Sequence, residues 1–124
     1  MSDIPAEEQH THTAADVVGL VSDKWVVEVL HALRAGDNRY GMMQRAIPEI
    51  SRKMLTQTLR KLERNGIVDR IDYEENPPRV EYEITEAGDA LIKRLTMMCE
   101  WSKTYFEDVE RARAAYDENN TGWV

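Results

Sequence analysis

At 124 residues with 42% hydrophobic side chains, the chain is long enough to build one domain around a buried core. Its 31% charged content, mean hydropathy of −0.59 and lack of any apolar run near the ~20 residues of a bilayer span exclude a membrane-spanning segment. A single cysteine, Cys99, excludes an intramolecular disulfide and argues against a cysteine-based zinc site, so a reducing cytosol is the expected compartment.

The net charge of −7 argues at first against a nucleic-acid partner, but its distribution is uneven. Residues 1–33 hold six acidic side chains against one basic, and residues 81–124 hold ten against five. Between them, residues 34–80 hold ten basic against seven acidic, and Arg39 to Arg64 alone hold seven against two. The pattern is a basic surface between acidic flanks, which would keep non-specific DNA affinity low and salt-sensitive.

Residues 1–13 contain Pro5 and the pair His10 and His12, and read as a flexible tail rather than a secretory signal. A His-x-His pair without a third ligand nearby does not make a metal site. Thr13 can cap a helix over residues 14–21 that is apolar on most sides, through Val17, Val18, Leu20 and Val21. Asp23 can cap a second helix over 24–35, where Trp25, Val26, Val29, Leu30 and Leu33 keep the helical period. His31 lies on this helix as an ordinary surface or packed histidine. After Gly36-Asp37-Asn38, Arg39-Tyr40 suggests a very short strand and Gly41 to Ala46 a short helix, stopped by Ile47-Pro48.

Ser51 then caps a helix that ends at Asn65-Gly66. At ~100° per residue, Leu55, Leu59 and Leu62 share one sector, flanked by Met54 and Thr58. Lys53, Gln57, Arg60 and Arg64 take the opposite side, with Arg52, Thr56 and Lys61 at the edges. These are side chains that reach base edges and phosphates in a major groove, although a basic solvated helix would carry the same residues. Short helix, tight turn and basic helix make a helix-turn-helix.

Residues 67–73 and 79–84 alternate in polarity around the loop Glu74 to Pro78, which predicts a β-hairpin. A hairpin directly after the basic helix has the position of a wing, and Arg79 at the base of its tip could reach a minor groove or a phosphate. Thr85 caps a last helix expected over 86–116, followed by a polar tail over 117–124 that includes Trp123. Leu91, Leu95, Met98, Ser102, Tyr105 and Val109 recur at near-heptad spacing, while Ile92, Cys99 and Phe106 broaden the stripe and Met97 and Trp101 lie on other sides. A helix apolar over more than one face needs two partners, and the simplest second partner is the same helix of another subunit.

Three motifs in this order resemble the HxlR-type winged helix-turn-helix regulators, relatives of the MarR group. Asp23-Lys24-Trp25 resembles the family's G-K-W, with Asp in place of Gly. Ile50 to Glu63 resembles the recognition helix I-S-x-K-M-L-T-x-x-L-R-x-L-E, and Pro77 to Gly88 resembles the wing P-x-R-V-E-Y-x-L-T-x-x-G. Cys99-Glu100-Trp101 is similar to a segment of the family's last helix, and the resemblance covers roughly Val17 to Tyr105. It implies a homodimer on a pseudo-palindromic operator. Some members sense oxidants, quinones or aldehydes through a cysteine before the first helix; His10 to Asp16 holds none, and Cys99 lies in an apolar stripe where a packed thiol is expected.

The expected fold is therefore mainly α with a small β-hairpin, a winged helix-turn-helix over 14–116 whose dimerisation helices are 14–21 and 86–116. The expected function is a dimeric, sequence-specific DNA-binding transcriptional regulator, a repressor before an activator, with helix 51–65 in the major groove and wing 67–84 at the minor groove. DNA contacts are assigned to Arg39, Ser51, Arg52, Lys53, Thr56, Gln57, Arg60, Arg64 and Arg79. The dimer is assigned to Val17, Val18, Val21, Leu91, Leu95, Met98, Tyr105 and Val109. The protein is expected in the cytoplasm, on the nucleoid, without cofactor or metal. A small-molecule effector is left open, with Met98, Trp101 and Tyr105 able to line a pocket. The rival from another class is a winged-helix module for protein contacts, and no catalytic constellation supports an enzyme.

Overall fold

The computed structural model describes residues 18–120. After a turn of helix at residues 18–21 come α1 (Lys24–Arg34), α2 (Tyr40–Ala46), α3 (Arg52–Arg64), β1 (Val68–Asp72), β2 (Val80–Ile84) and α4 (Glu86–Asn119). The chain divides into two units, one ending at Asp89 and one beginning at Ala90. Val17, the His10/His12 pair, Trp123 and the first part of the expected helix over 14–21 lie outside the described residues.

In the first unit, α1 begins where the Asp23 carboxylate accepts the Trp25 N–H at 2.9 Å. It buries Val26, Val29, Leu30 and Leu33, spaced as one helical face. Gly36, at φ +104°, makes the left-handed step that ends the helix, and the Gly36 and Asp37 N–H groups donate back to Leu33 and Ala32. Met43 of α2 is fully buried. Ile47 and Ile50, both buried, bracket the tight turn into α3.

The Ser51 hydroxyl accepts from Met54 N–H at 3.0 Å and so caps α3. Leu55, Leu59 and Leu62 are buried as their spacing predicts, each contributing roughly 1.5–3 kcal/mol. Thr58 is buried among them with its hydroxyl donating to the Met54 carbonyl at 2.7 Å, so no polar group is stranded. Gly66, at φ +71°, ends the helix, and Asn65 Nδ2 donates to the Lys61 carbonyl.

β1 and β2 pair antiparallel with Val68 opposite Ile84, Arg70 opposite Tyr82 and Asp72 opposite Val80. The expected strand at Arg39-Tyr40 is not formed: Arg39 is extended, but Tyr40 already begins α2. A single bond, from Tyr82 N–H to the Asn38 carbonyl at 2.9 Å, ties this extended step to β2, and one bond makes no ladder. Thr85 ties the hairpin to α4. Its hydroxyl donates to the Gly66 carbonyl at 2.6 Å and accepts from Gly88 N–H at 3.0 Å. Gly88 is needed for close approach, since a Cβ there would overlap the Ile67 carbonyl oxygen.

The second unit is the rest of α4, which runs to Asn119 instead of ending at Tyr116. Residues 117–119 therefore continue the helix rather than starting a tail.

Two predictions follow from this scaffold. Gly88→Ala is expected to lower stability by about 1–3 kcal/mol, read by denaturant unfolding, because backbone must move to admit the methyl. Asp23→Asn isolates a charge effect, since asparagine keeps the cap acceptor. The Lys61 ammonium, 2.9 Å away, lowers the Asp23 pKa below 3.8. The native pair thus stabilises above that value and is lost as pH falls through the folded pKa. The pair is partly exposed, so wild type should exceed Asp23→Asn by less than ~1 kcal/mol at pH 7, a difference that closes in acid.

Candidate nucleic-acid interface

Because the leucines of α3 point inward, its opposite face is fixed outward: Lys53, Gln57, Arg60 and Arg64 are exposed, as are Ser51 and Arg52, with Thr56 half-buried. Among the described residues, no ion pair engages Arg52, Lys53, Arg60 or Arg64. Lys61 is the exception on this helix, drawn aside to the Asp23 carboxylate that caps α1.

The structure brings Arg52, Lys53, Thr56, Gln57 and Arg60 together around an open hollow of about 650 Å³, with Tyr40 as a further wall. Tyr40 was not singled out by the sequence reading. Its hydroxyl donates to the Arg52 carbonyl at 2.9 Å and lies 3.3 Å from Thr56 Oγ1, while the Arg52 guanidinium lies 6.0 Å from its ring centre. Tyr40 thus braces the first turn of α3 from α2 and orients a polar side chain in the hollow. A tyrosine one residue after a basic one at a helix start gives no such signal in sequence; the contact spans sixteen residues.

Arg64 stands apart, lining a separate concavity with Gly19, Leu20, Lys61 and Asn65. Arg39 is exposed ahead of α2. The Ser51 hydroxyl is already engaged as a cap acceptor. Arg79 is not a free arm: its guanidinium stacks 3.7 Å from the Tyr73 ring centre, and its Nε lies 3.2 Å from the Glu75 carboxylate. Neither Tyr73 nor Glu75 was anticipated as a partner.

On α4, Met98 and Tyr105 are exposed, and Leu91 and Val109 are half-buried. Leu95 is buried within the single chain, which removes it from the exposed stripe. Near the start of the described residues Val18 is exposed and Val21 half-buried. The exposed set includes Phe106, which broadens the stripe, and Met97 and Trp101, which the heptad spacing places on other sides, and Trp101 and Tyr105 face each other with ring centres 5.5 Å apart. Cys99 is exposed rather than packed. A position in an apolar stripe buries a thiol only where another element covers it. His31 is exposed. Among the described residues no group of three or more His, Cys, Asp or Glu side chains could hold a metal ion, and no helix is long and apolar enough to cross a membrane.

Residues 20–110 match the HxlR-like helix-turn-helix family. An uncharacterised HTH-type transcriptional regulator from Methanothermobacter thermautotrophicus is 40% identical over 99 residues, 80% of this chain and 76% of the relative. The uncharacterised HTH-type transcriptional regulator YkvN of Bacillus subtilis is 41% identical over 98 residues, 79% and 82% of the two chains. The reduced form of the transcriptional regulator YodB from B. subtilis superposes with a TM-score of 0.68 at 34% identity, over 73% of this chain and 89% of that one. The arrangement of a basic helix, an adjacent hairpin and a long last helix is thus that of a winged-helix regulator, a class without enzymatic activity, and the chain belongs to the HxlR-like helix-turn-helix family of transcriptional regulators.

Proposed function

We propose that the protein is a homodimeric repressor that reads a pseudo-palindromic DNA operator, with α3 in the major groove and the β1–β2 hairpin at the adjacent minor groove. The observation that carries this is the outward face of α3, where Arg52, Lys53 and Arg60 surround Thr56 and Gln57 and, among the described residues, form no ion pair with an acidic side chain. Arginine and glutamine can each pair with a base in two-point fashion, while lysine and the remaining arginines neutralise phosphates. Arg39 and Arg64, at the margins, fit phosphate contacts. Arg79 fits the minor groove once it leaves Tyr73. An operator complex of this kind would hold the protein on the nucleoid.

Dimerisation is supported by the apolar face of α4. Met97, Met98, Trp101, Tyr105 and Phe106 are all at least 46% exposed in the single chain, an expanse that water solvates poorly. Two copies joined there would present two α3 helices to successive major grooves about 34 Å apart. The acidic hairpin, with Asp69, Asp72, Glu74, Glu75, Glu81 and Glu83, favours a second reading as a protein-binding module, against which the bare basic face of α3 counts.

Light scattering on dilute protein should give twice the 14.4 kDa chain mass, and Trp101→Glu should shift it toward the monomer. A wild-type monomer would remove the dimer. Arg60→Ala should weaken binding to an operator selected from a random pool by ~1–3 kcal/mol if Arg60 reads a guanine. Arg79→Ala should weaken binding to every duplex and lower the salt slope by about one. Anisotropy titrations over a salt series check both, and unchanged affinities would sink the groove assignment. Recovery of a protein partner with no duplex binding would favour the second reading.

A further inference from the structure

We infer that Glu75 and Tyr73 hold Arg79 parked on the hairpin, and that this latch makes Glu75 a specificity-determining residue by weakening binding to non-specific duplex DNA. The inference rests on the DNA-binding reading above and adds a residue that no groove contact requires.

The hold has two parts. The guanidinium carbon lies over Tyr73, 3.7 Å from its ring centre, a close cation–π contact. The Glu75 carboxylate, four residues back in sequence, sits 3.2 Å from Nε. Backbone geometry enforces the meeting: Tyr73 N–H donates to the Arg79 carbonyl at 3.0 Å, closing the tip so that ring and guanidinium leave the same base. A second bond, Glu74 N–H to the Asp72 carboxylate at 2.9 Å, shapes the turn that delivers Glu75. The Arg79 Nε is buried yet makes no aligned hydrogen bond, so the Glu75 contact is a charge contact that can open without stranding a made bond.

The chemistry sets the consequence. Residues 72–79 carry Asp72, Glu74 and Glu75 against Arg79 alone, so the tip is acidic overall. To touch a phosphate, Arg79 must either leave Glu75 or carry a carboxylate against the DNA backbone. Losing a partly exposed ion pair of this type offsets binding by up to about fivefold. A non-specific complex rests on phosphate contacts alone and feels that loss in full. A narrow minor groove, with its concentrated negative potential, recovers it. The latch therefore lowers affinity for the many wrong sites more than for the right one.

The test uses the full chain and a labelled random-sequence duplex of about 30 base pairs, titrated by anisotropy across a potassium chloride series, with circular dichroism as the check on folding. Glu75→Gln is expected to tighten binding about three- to fivefold at low salt. The gain should disappear in the Glu75→Gln, Arg79→Ala double variant, because no guanidinium is left to release. An equal gain in both backgrounds overturns the latch in favour of plain repulsion by Glu75. Weakening by Arg79→Ala with no response to Glu75→Gln overturns the latch alone. A wild type that binds no duplex at any salt overturns the DNA-binding reading and the latch with it.

Discussion

The burial of Leu55, Leu59 and Leu62 is the constraint from which the rest of the interface follows. Three leucines on one side of α3, with Thr58 satisfied between them by its own helix, fix the rotation of that helix about its axis. A helix whose rotation is fixed has no choice about what it shows outward, and here that is Lys53, Gln57 and Arg60. Turning the helix by a quarter would place charged groups in the core without partners, at a desolvation penalty far larger than any single surface contact returns.

Rotation alone does not fix tilt and position, and three polar contacts supply those. Ser51 sets where the helix begins, Tyr40 ties its first turn to α2, and Asp23 ties Lys61 near its end to the start of α1. Each contact is modest by itself. Together they hold both ends of a 13-residue rod against neighbours that are themselves packed on the core. On the proposed reading, pre-setting the rod in this way means that less order has to be acquired when a duplex arrives. Asp23 serves two elements at once, as cap and as counter-charge, which a glycine at that position could not do.

An acidic protein with a basic face handles duplex DNA differently from a uniformly basic one. The net charge of −7 repels phosphate at a distance, and on the proposed reading attraction comes from the α3 face, where among the described residues Arg52, Lys53 and Arg60 form no ion pair. The hairpin extends this economy: its basic residue at the tip is countered by a carboxylate within 3.2 Å. On the proposed reading, electrostatics then favours close, correctly docked complexes over loose ones.

Much of this was legible in the residues. The helical period of α1 and α3, the Ser51 cap, the glycine after α3, the alternation of β2 and the break at Ile47-Pro48 all depend on neighbours within a few positions, and local chemistry determines them. Contacts between distant positions were not legible: Tyr40 with Thr56, Asp23 with Lys61, the abortive strand at Arg39, and the exposure of Cys99 and Trp101. Sequence periodicity tells which side of a helix is apolar, but not whether another element covers it. Leu95 and Met98 belong to the same stripe, yet one is buried and the other open. By itself the sequence determined the elements, their order and the cationic character of one helix face, because these are set by short-range sterics and solvation. Only the tertiary structure decided which cations stay free and which are held, because that depends on side chains brought together from far along the chain.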